Sequence, residues 1–140
     1  MKRDKNYDLI VVGAGPAGMT AGMYGARSGL RTLVVEKGIS GGLSNEAPEI
    51  ENYPGFMRVG GMELAEKVKE QVSEYVEIKE LEKVKTIETG GKENGENMLV
   101  VTEKGSYVTK NGDNKHGNQT QETPQNSGQF LTPDNAQTRL

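Results

Sequence analysis

The chain contains no cysteine, no tryptophan and a single histidine among its 140 residues. Without cysteine there is no disulfide framework, no thiolate metal site and no cysteine nucleophile within these residues. The lone His116 sits in a polar stretch with no second ligand or base beside it, so no metal site is expected. Long apolar runs are also missing. Leu9-Ile10-Val11-Val12 is far too short for a membrane helix or the core of a signal peptide, and a cytoplasmic location is the default expectation. A formal net charge of −3 supplies no basic excess, which argues against a nucleic-acid partner. Hydrophobic residues other than glycine make up only 33% of the chain.

That shortage is local. Residues 111–140 hold five Asn, five Gln, four Thr, three Gly and two Pro, and only Phe130, Leu131, Ala136 and Leu140 are apolar. Such a segment buries too little surface to offset about 1–2 kcal/mol of backbone entropy per ordered residue. The expected organisation is therefore a folded part, 1–110, and a disordered polar tail, 111–140.

In the first part, Tyr7–Val12 reads as a strand buried on both faces and ending at Gly13. Pro16 suits a first helical turn, the helix runs to about Ser28, and Gly29 is a natural stop. Arg31–Glu36 is a second buried strand, which completes a β-α-β crossover. Met62–Val76 carries Leu64, Ala65, Val68, Val72 and Tyr75 on one helical stripe, and Val76-Glu77-Ile78 suits a third strand. The charges scattered through Glu63–Glu88 read as a solvated helix face and strand edge. Lys83–Thr89, Asn97–Thr102 and Ser106–Thr109 are short strands parted by glycine-bearing turns, a β-meander. The fold class is α/β, a Rossmann-type parallel sheet with a meander.

The densest chemistry lies in Gly13-Ala14-Gly15-Pro16-Ala17-Gly18, a G-x-G-x-x-G between a strand and a helix. Gly13 allows the tight turn, Gly15 lets backbone approach a pyrophosphate, and Gly18 lets helix and strand pack closely. Gly22 and Gly25 extend the Gly18 face of the helix, and close packing would offset the roughly 1 kcal/mol each costs in helix propensity. Glu36 ends the second strand, close to the roughly 20-residue spacing at which an acid accepts hydrogen bonds from an adenosine ribose. The same carboxylate would repel a 2′-phosphate, so the dinucleotide should not be NADP. FAD and NAD remain open on this fingerprint alone.

Ser40-Gly41-Gly42-Leu43 and Glu49-Ile50-Glu51-Asn52-Tyr53-Pro54-Gly55-Phe56 carry the reading further. With the glycine turn, they resemble the FAD domain of the low-molecular-weight thioredoxin reductase family, across about the first 110 residues. The resemblance implies that Gly15, Pro16 and Ala17 lie against the FAD pyrophosphate and that Glu36 holds the ribose. It places Gly41, Gly42, Leu43 and Asn52 on the flavin side. One departure is visible: the family often reads Gly-Gly-Gln-Leu, whereas this chain has Gly-Gly-Leu-Ser. The implied activity passes electrons from a nicotinamide donor such as NADPH through FAD to a disulfide, or to a thioredoxin-like or ferredoxin-like redox protein. The alternative is a non-catalytic FAD or adenine-dinucleotide module, or a truncated inactive product. A homodimer is compatible with the resemblance. No catalytic residue is expected among these positions. Beyond Lys110 the resemblance ends, which suggests truncation, a frameshift or fusion to an unrelated tail. It leaves an expected parallel sheet of three strands with one bare edge, and hence a weak hold on flavin.

Overall fold

A computed structural model describes residues 6–89, 97–109 and 129–131. The turn expected at Gly90–Gly95, His116 and the rest of 111–140 lie outside the described residues.

The first strand begins in one sheet and ends in another. Asn6–Tyr7 (β1) pairs in parallel with Ser106–Thr109 (β7), while Leu9–Val12 (β2) pairs in parallel with Thr32–Val35 (β3). Asp8 makes the break. Its carboxylate accepts from the Arg31 amide at 2.7 Å, and its own amide donates to the Arg31 carbonyl at 2.8 Å. The single strand expected over Tyr7–Val12 is therefore two strands of one continuous run.

Helix α1 spans Pro16–Arg27. It ends as expected at Gly29, whose φ of +87° is open to glycine at little cost. The Leu30 amide reaches the Gly25 carbonyl and the Gly29 amide the Ala26 carbonyl, the pair of bonds that closes a helix with a left-handed residue. Gly61–Ser73 forms α2, and Glu77–Lys79 (β4) adds to β3 in parallel, one residue later than the periodicity suggests. Val76 stays in the core beside the helices rather than joining the strand.

The alternation of side chains along β2 and β3 divides the interior. Leu9, Val11 and Val34 pack with Met19, Val72 and Val76 under the helices. Ile10, Leu33 and Val35 face the other way, onto Val100 and Tyr107. Those two belong to the second sheet, in which Val84–Thr89 (β5), Met98–Thr102 (β6) and β7 form the antiparallel meander, with β1 on its edge. Each fully buried aliphatic side chain of this kind contributes about 1.5–3 kcal/mol. The order of layers is helices, parallel sheet, meander. Burial of both faces explains the unbroken apolar runs.

The expected bare edge is not bare. Gln129–Leu131 (β8) pairs antiparallel with β2, in the register Ile10 with Leu131, Val11 with Phe130 and Val12 with Gln129. The sheet order is β4-β3-β2-β8. At these three residues the expected disorder of 111–140 is corrected, because an open ladder on β2 offers hydrogen bonds that outweigh the cost of ordering a short segment. Among the described residues no helix is long and apolar enough to cross a membrane.

The glycine face of α1 sets the distance between helix and sheet. A Cβ on Gly22 would come within 2.5 Å of Val34 Cγ2, and one on Gly25 within 2.6 Å of Leu9 Cδ2. Gly22→Ala should therefore destabilise the chain, with overpacking of about 1–3 kcal/mol partly offset by about 1 kcal/mol of helix propensity. The midpoint of urea unfolding measures it; a midpoint unchanged or raised would show that the helix can lift without loss.

Candidate functional site

The turn after β2 is held open by backbone geometry. Gly13 has a φ of +105°, and its amide donates to the Val35 carbonyl at 2.8 Å. A Cβ on Gly18 would sit 2.0 Å from the Gly13 carbonyl oxygen, so only glycine lets α1 start this close to the strand. Gly15 differs. It is the N-cap of α1, no side chain caps it, and a Cβ there would meet nothing within 4 Å. Pro16 is the first helical residue and Ala17 is exposed. An uncapped helix start beneath open space presents amide donors and the positive end of the helix dipole. That is what a pyrophosphate needs.

Glu36 lies beside this turn and is 8% exposed. One carboxylate oxygen accepts from the Ala14 amide at 2.7 Å, and the other from the Gly38 amide at 2.8 Å. The acid thus ties the glycine turn to the loop after β3. Each oxygen retains a second acceptor direction, which leaves room for hydroxyl donors from a ligand. The strap after β4 closes over the same loop: the Glu36 amide donates to the Lys79 carbonyl, the Leu81 amide to Gly38 and the Glu82 amide to Glu36.

The second glycine pair faces the first. Gly41, at φ +119°, donates its amide to the Ala14 carbonyl at 2.7 Å, and Gly42 lies directly against Gly15. A short 3-10 helix, Gly42–Glu46, follows. Asn45 fills the space a Cβ on Gly41 would take, and its amide nitrogen donates to the Ser40 carbonyl at 3.0 Å. Ser44 Oγ donates to the Gly41 carbonyl. Gly61 at the start of α2 abuts the Ser44 carbonyl with no space for a side chain. Leu43 is 57% exposed, an apolar group where the resembled family often carries Gln.

Asn52 is exposed, and no hydrogen bond among the described residues holds it. Its loop is closed by paired backbone bonds between Ile50 and Val59. Within the loop, Tyr53-Pro54-Gly55-Phe56 makes a turn with Gly55 at φ +97° and the Phe56 amide on the Tyr53 carbonyl. Gly13, Gly15, Gly18, Glu36, Gly41 and Gly42 are therefore joined by contacts, whereas the exposed Leu43 and Asn52 are not drawn into that set.

Two acids missed as site residues brace this arrangement. Glu80 accepts from the Ser40 amide at 2.7 Å and from Lys69 Nζ at 2.8 Å. The Lys69 hydrogen bond above all, outweighing partial burial, lowers its carboxyl to about 2. Glu82 is buried and accepts from the Thr102 and Tyr107 hydroxyls. Burial pushes the Glu82 carboxyl up, but those two bonds together with the charges of Lys79 and Lys104 outweigh it and hold the group below its ordinary value. The Tyr107 hydroxyl is correspondingly raised, by burial and then by Glu82. The solvated-edge reading of Glu63–Glu88 is thus corrected at Glu80 and Glu82. Sequence periodicity gave no sign of either.

Residues 8–47 match the family described as FAD binding domain. A thioredoxin reductase of Bacillus subtilis is 38% identical over 116 residues, which cover 76% of this chain and 37% of that protein. The thioredoxin reductase structure from Lactococcus lactis superposes with a TM-score of 0.68 at 42% identity, over 74% of this chain and 33% of that one. A ferredoxin-flavin thioredoxin reductase from Clostridium acetobutylicum gives 0.63 at 31% identity, over 74% and 35%. The chain is a thioredoxin reductase-like FAD-binding region. It spans about a third of the length of these relatives. Its Rossmann-type fold and FAD as cofactor agree with the expectation from the sequence.

The depressed carboxyl of Glu80 predicts that this thioredoxin reductase-like region loses stability in acid. An ordinary carboxyl of this type titrates at 4.5, and Glu80 in the folded chain at about 2. Its stabilising contribution is complete above the unfolded value and is lost as pH falls from there through the folded value. Urea unfolding from pH 6 down to about pH 2 should show a steeper loss in the native chain than in Glu80→Gln. Parallel curves would exclude the contribution.

Proposed function

We propose that this region holds FAD in an oxidoreductase that passes electrons from a nicotinamide donor through flavin to a disulfide or a small redox protein. The observation that carries the proposal is the uncapped start of α1 under open space, enclosed by Glu36 on one side and the Gly41–Gly42 loop on the other. In this reading Gly13 and Gly18 shape the turn, and Gly15, Pro16 and Ala17 line the pyrophosphate. Glu36 accepts from the adenosine ribose with the lone pairs its two backbone donors leave free. Gly41, Gly42, Leu43 and Asn52 border the isoalloxazine, with the free Asn52 amide able both to donate and to accept.

FAD supplies the redox chemistry, accepting a hydride equivalent and passing on electrons, while the protein binds and orients it. Having no cysteine, these residues contribute no thiol to disulfide reduction, and their part is to hold the cofactor. The names of the relatives support either a thioredoxin-type disulfide or a ferredoxin-type protein as electron partner. A cytoplasmic location and a homodimer belong to the same proposal.

A fluorescence titration of the full chain with FAD tests it. Binding should saturate, and 2′,5′-ADP should compete far less well than 5′-AMP, which carries the same 5′-phosphate, because Glu36 meets its 2′-phosphate. Glu36→Gln should weaken FAD by about tenfold or more, since a hydrogen bond to a charged group contributes about 1.5–3 kcal/mol. No saturable binding, or equal competition by the two nucleotides, would overturn the assignment.

A further inference from the structure

The Ser40–Gly42 loop faces the dinucleotide turn, yet no regular element carries it. Ser40 and Gly41 are buried, and the Gly41 amide sits on the Ala14 carbonyl at 2.7 Å. Gly42 packs on Gly15 itself, the residue beneath which the helix amides open. What holds the loop from behind is Glu80, on the strap after β4. One of its oxygens takes the Ser40 amide, and the other is fixed at 2.8 Å by Lys69, which comes from α2. Three separate segments thus meet in one carboxylate, and its target is the backbone next to the glycine pair. A charge-assisted bond of this kind is about twice as strong as a neutral one. The Lys69 partner restricts the carboxylate to the orientation that meets the Ser40 amide.

We propose that Glu80 is a positioning residue for the cofactor: clamped by Lys69, it fixes the Ser40–Gly42 loop against the Ala14–Gly15 turn and thereby sets the affinity for FAD. The proposal rests on the FAD reading above. Glu80 itself need not touch the ligand. A pre-formed loop spares the binding step the cost of ordering backbone, and that saving appears as affinity. Loss of Glu80 leaves the Gly41–Ala14 bond as the loop's main link to the turn, and the loop would have to be ordered by FAD itself.

The test pairs a local readout with an affinity, on the full chain. In amide hydrogen exchange, Glu80→Ala should speed exchange at Ser40 and Gly41 while leaving the Ala14 and Gly38 amides, which Glu36 holds, at native rates. FAD affinity should fall by about tenfold, the scale of one charge-assisted hydrogen bond. Lys69→Met should reproduce part of both effects, and Lys69→Arg, which keeps a cation beside Glu80, should restore them. A purely structural role would raise exchange at Ser40 and Gly41 no more than the loss of global stability, measured by urea unfolding of the same variant, accounts for, and Lys69→Arg would restore FAD affinity only as far as it restored that stability. Unchanged exchange at Ser40 and Gly41, acceleration there no greater than the global loss explains, or local loosening with FAD affinity within twofold of native would each overturn the proposal. Failure of the native chain itself to bind FAD would overturn the reading beneath it, and native binding unaltered in Glu80→Ala would overturn this inference alone.

Discussion

Glu36 accepts two backbone amides with its two carboxylate oxygens, and the shape of the site depends on that pair of bonds. Ala14 belongs to the turn that launches α1, and Gly38 to the loop that leaves β3. Both segments are irregular backbone at the ends of parallel strands, where no ladder partner is available to either amide. Leaving one of them buried and unpaired would cost about 1–3 kcal/mol. A single acidic side chain at the end of β3 satisfies both and keeps the two loops side by side. The acid that ordinary motif reading assigns to a ligand is therefore also part of the scaffold, so a ribose hydroxyl would meet a carboxylate already oriented by its backbone donors. Such preorganisation favours binding because little remains to be ordered.

Around that link, charge and packing divide the work by layer. The helix side is held by close approach, with Gly22 and Gly25 lying where side chains of Val34 and Leu9 would otherwise collide. The meander side is held partly by apolar contact, Ile10, Leu33 and Val35 on Val100 and Tyr107, and partly by Glu82 receiving the Tyr107 and Thr102 hydroxyls. A buried carboxylate without partners would be costly. Here its donors come from β6 and β7, so the same bonds that offset burial also fix the second sheet to the strap beneath the first.

Much of this was legible in the sequence, and the reasons differ by element. Strands β2 and β3 announce themselves as unbroken apolar runs because both of their faces are buried. The turn is legible because Gly13 and Gly18 answer steric demands that no other residue meets. Asp8 breaking the first strand was not, since the break depends on a partner at Arg31, distant in the chain. Glu80 and Glu82 were read as surface charge because only the assembled fold brings Lys69, Ser40, Thr102 and Tyr107 to them. Strand β8 lies in a segment whose composition opposes order. The local signal was Phe130-Leu131, two adjacent apolar residues, and the decisive factor was the exposed ladder of β2, which composition cannot report.

The strap itself shows how one unfavourable residue makes these roles compatible. In extended backbone, residues two apart point to the same face. Glu80 and Glu82 are two apart, yet Glu80 meets Lys69 in the helical layer and Glu82 meets Tyr107 in the meander layer. Between them Leu81 has a φ of +54°, in the left-handed region that costs a residue with a Cβ about 1–2 kcal/mol. Its side chain is 63% exposed, so packing contributes little to holding it there. Its amide is bonded to the Gly38 carbonyl, and its reversed backbone turns the two neighbouring acids to opposite layers. One strained residue thus lets a short strap brace the Ser40–Gly42 loop with one carboxylate and anchor the second sheet with the next.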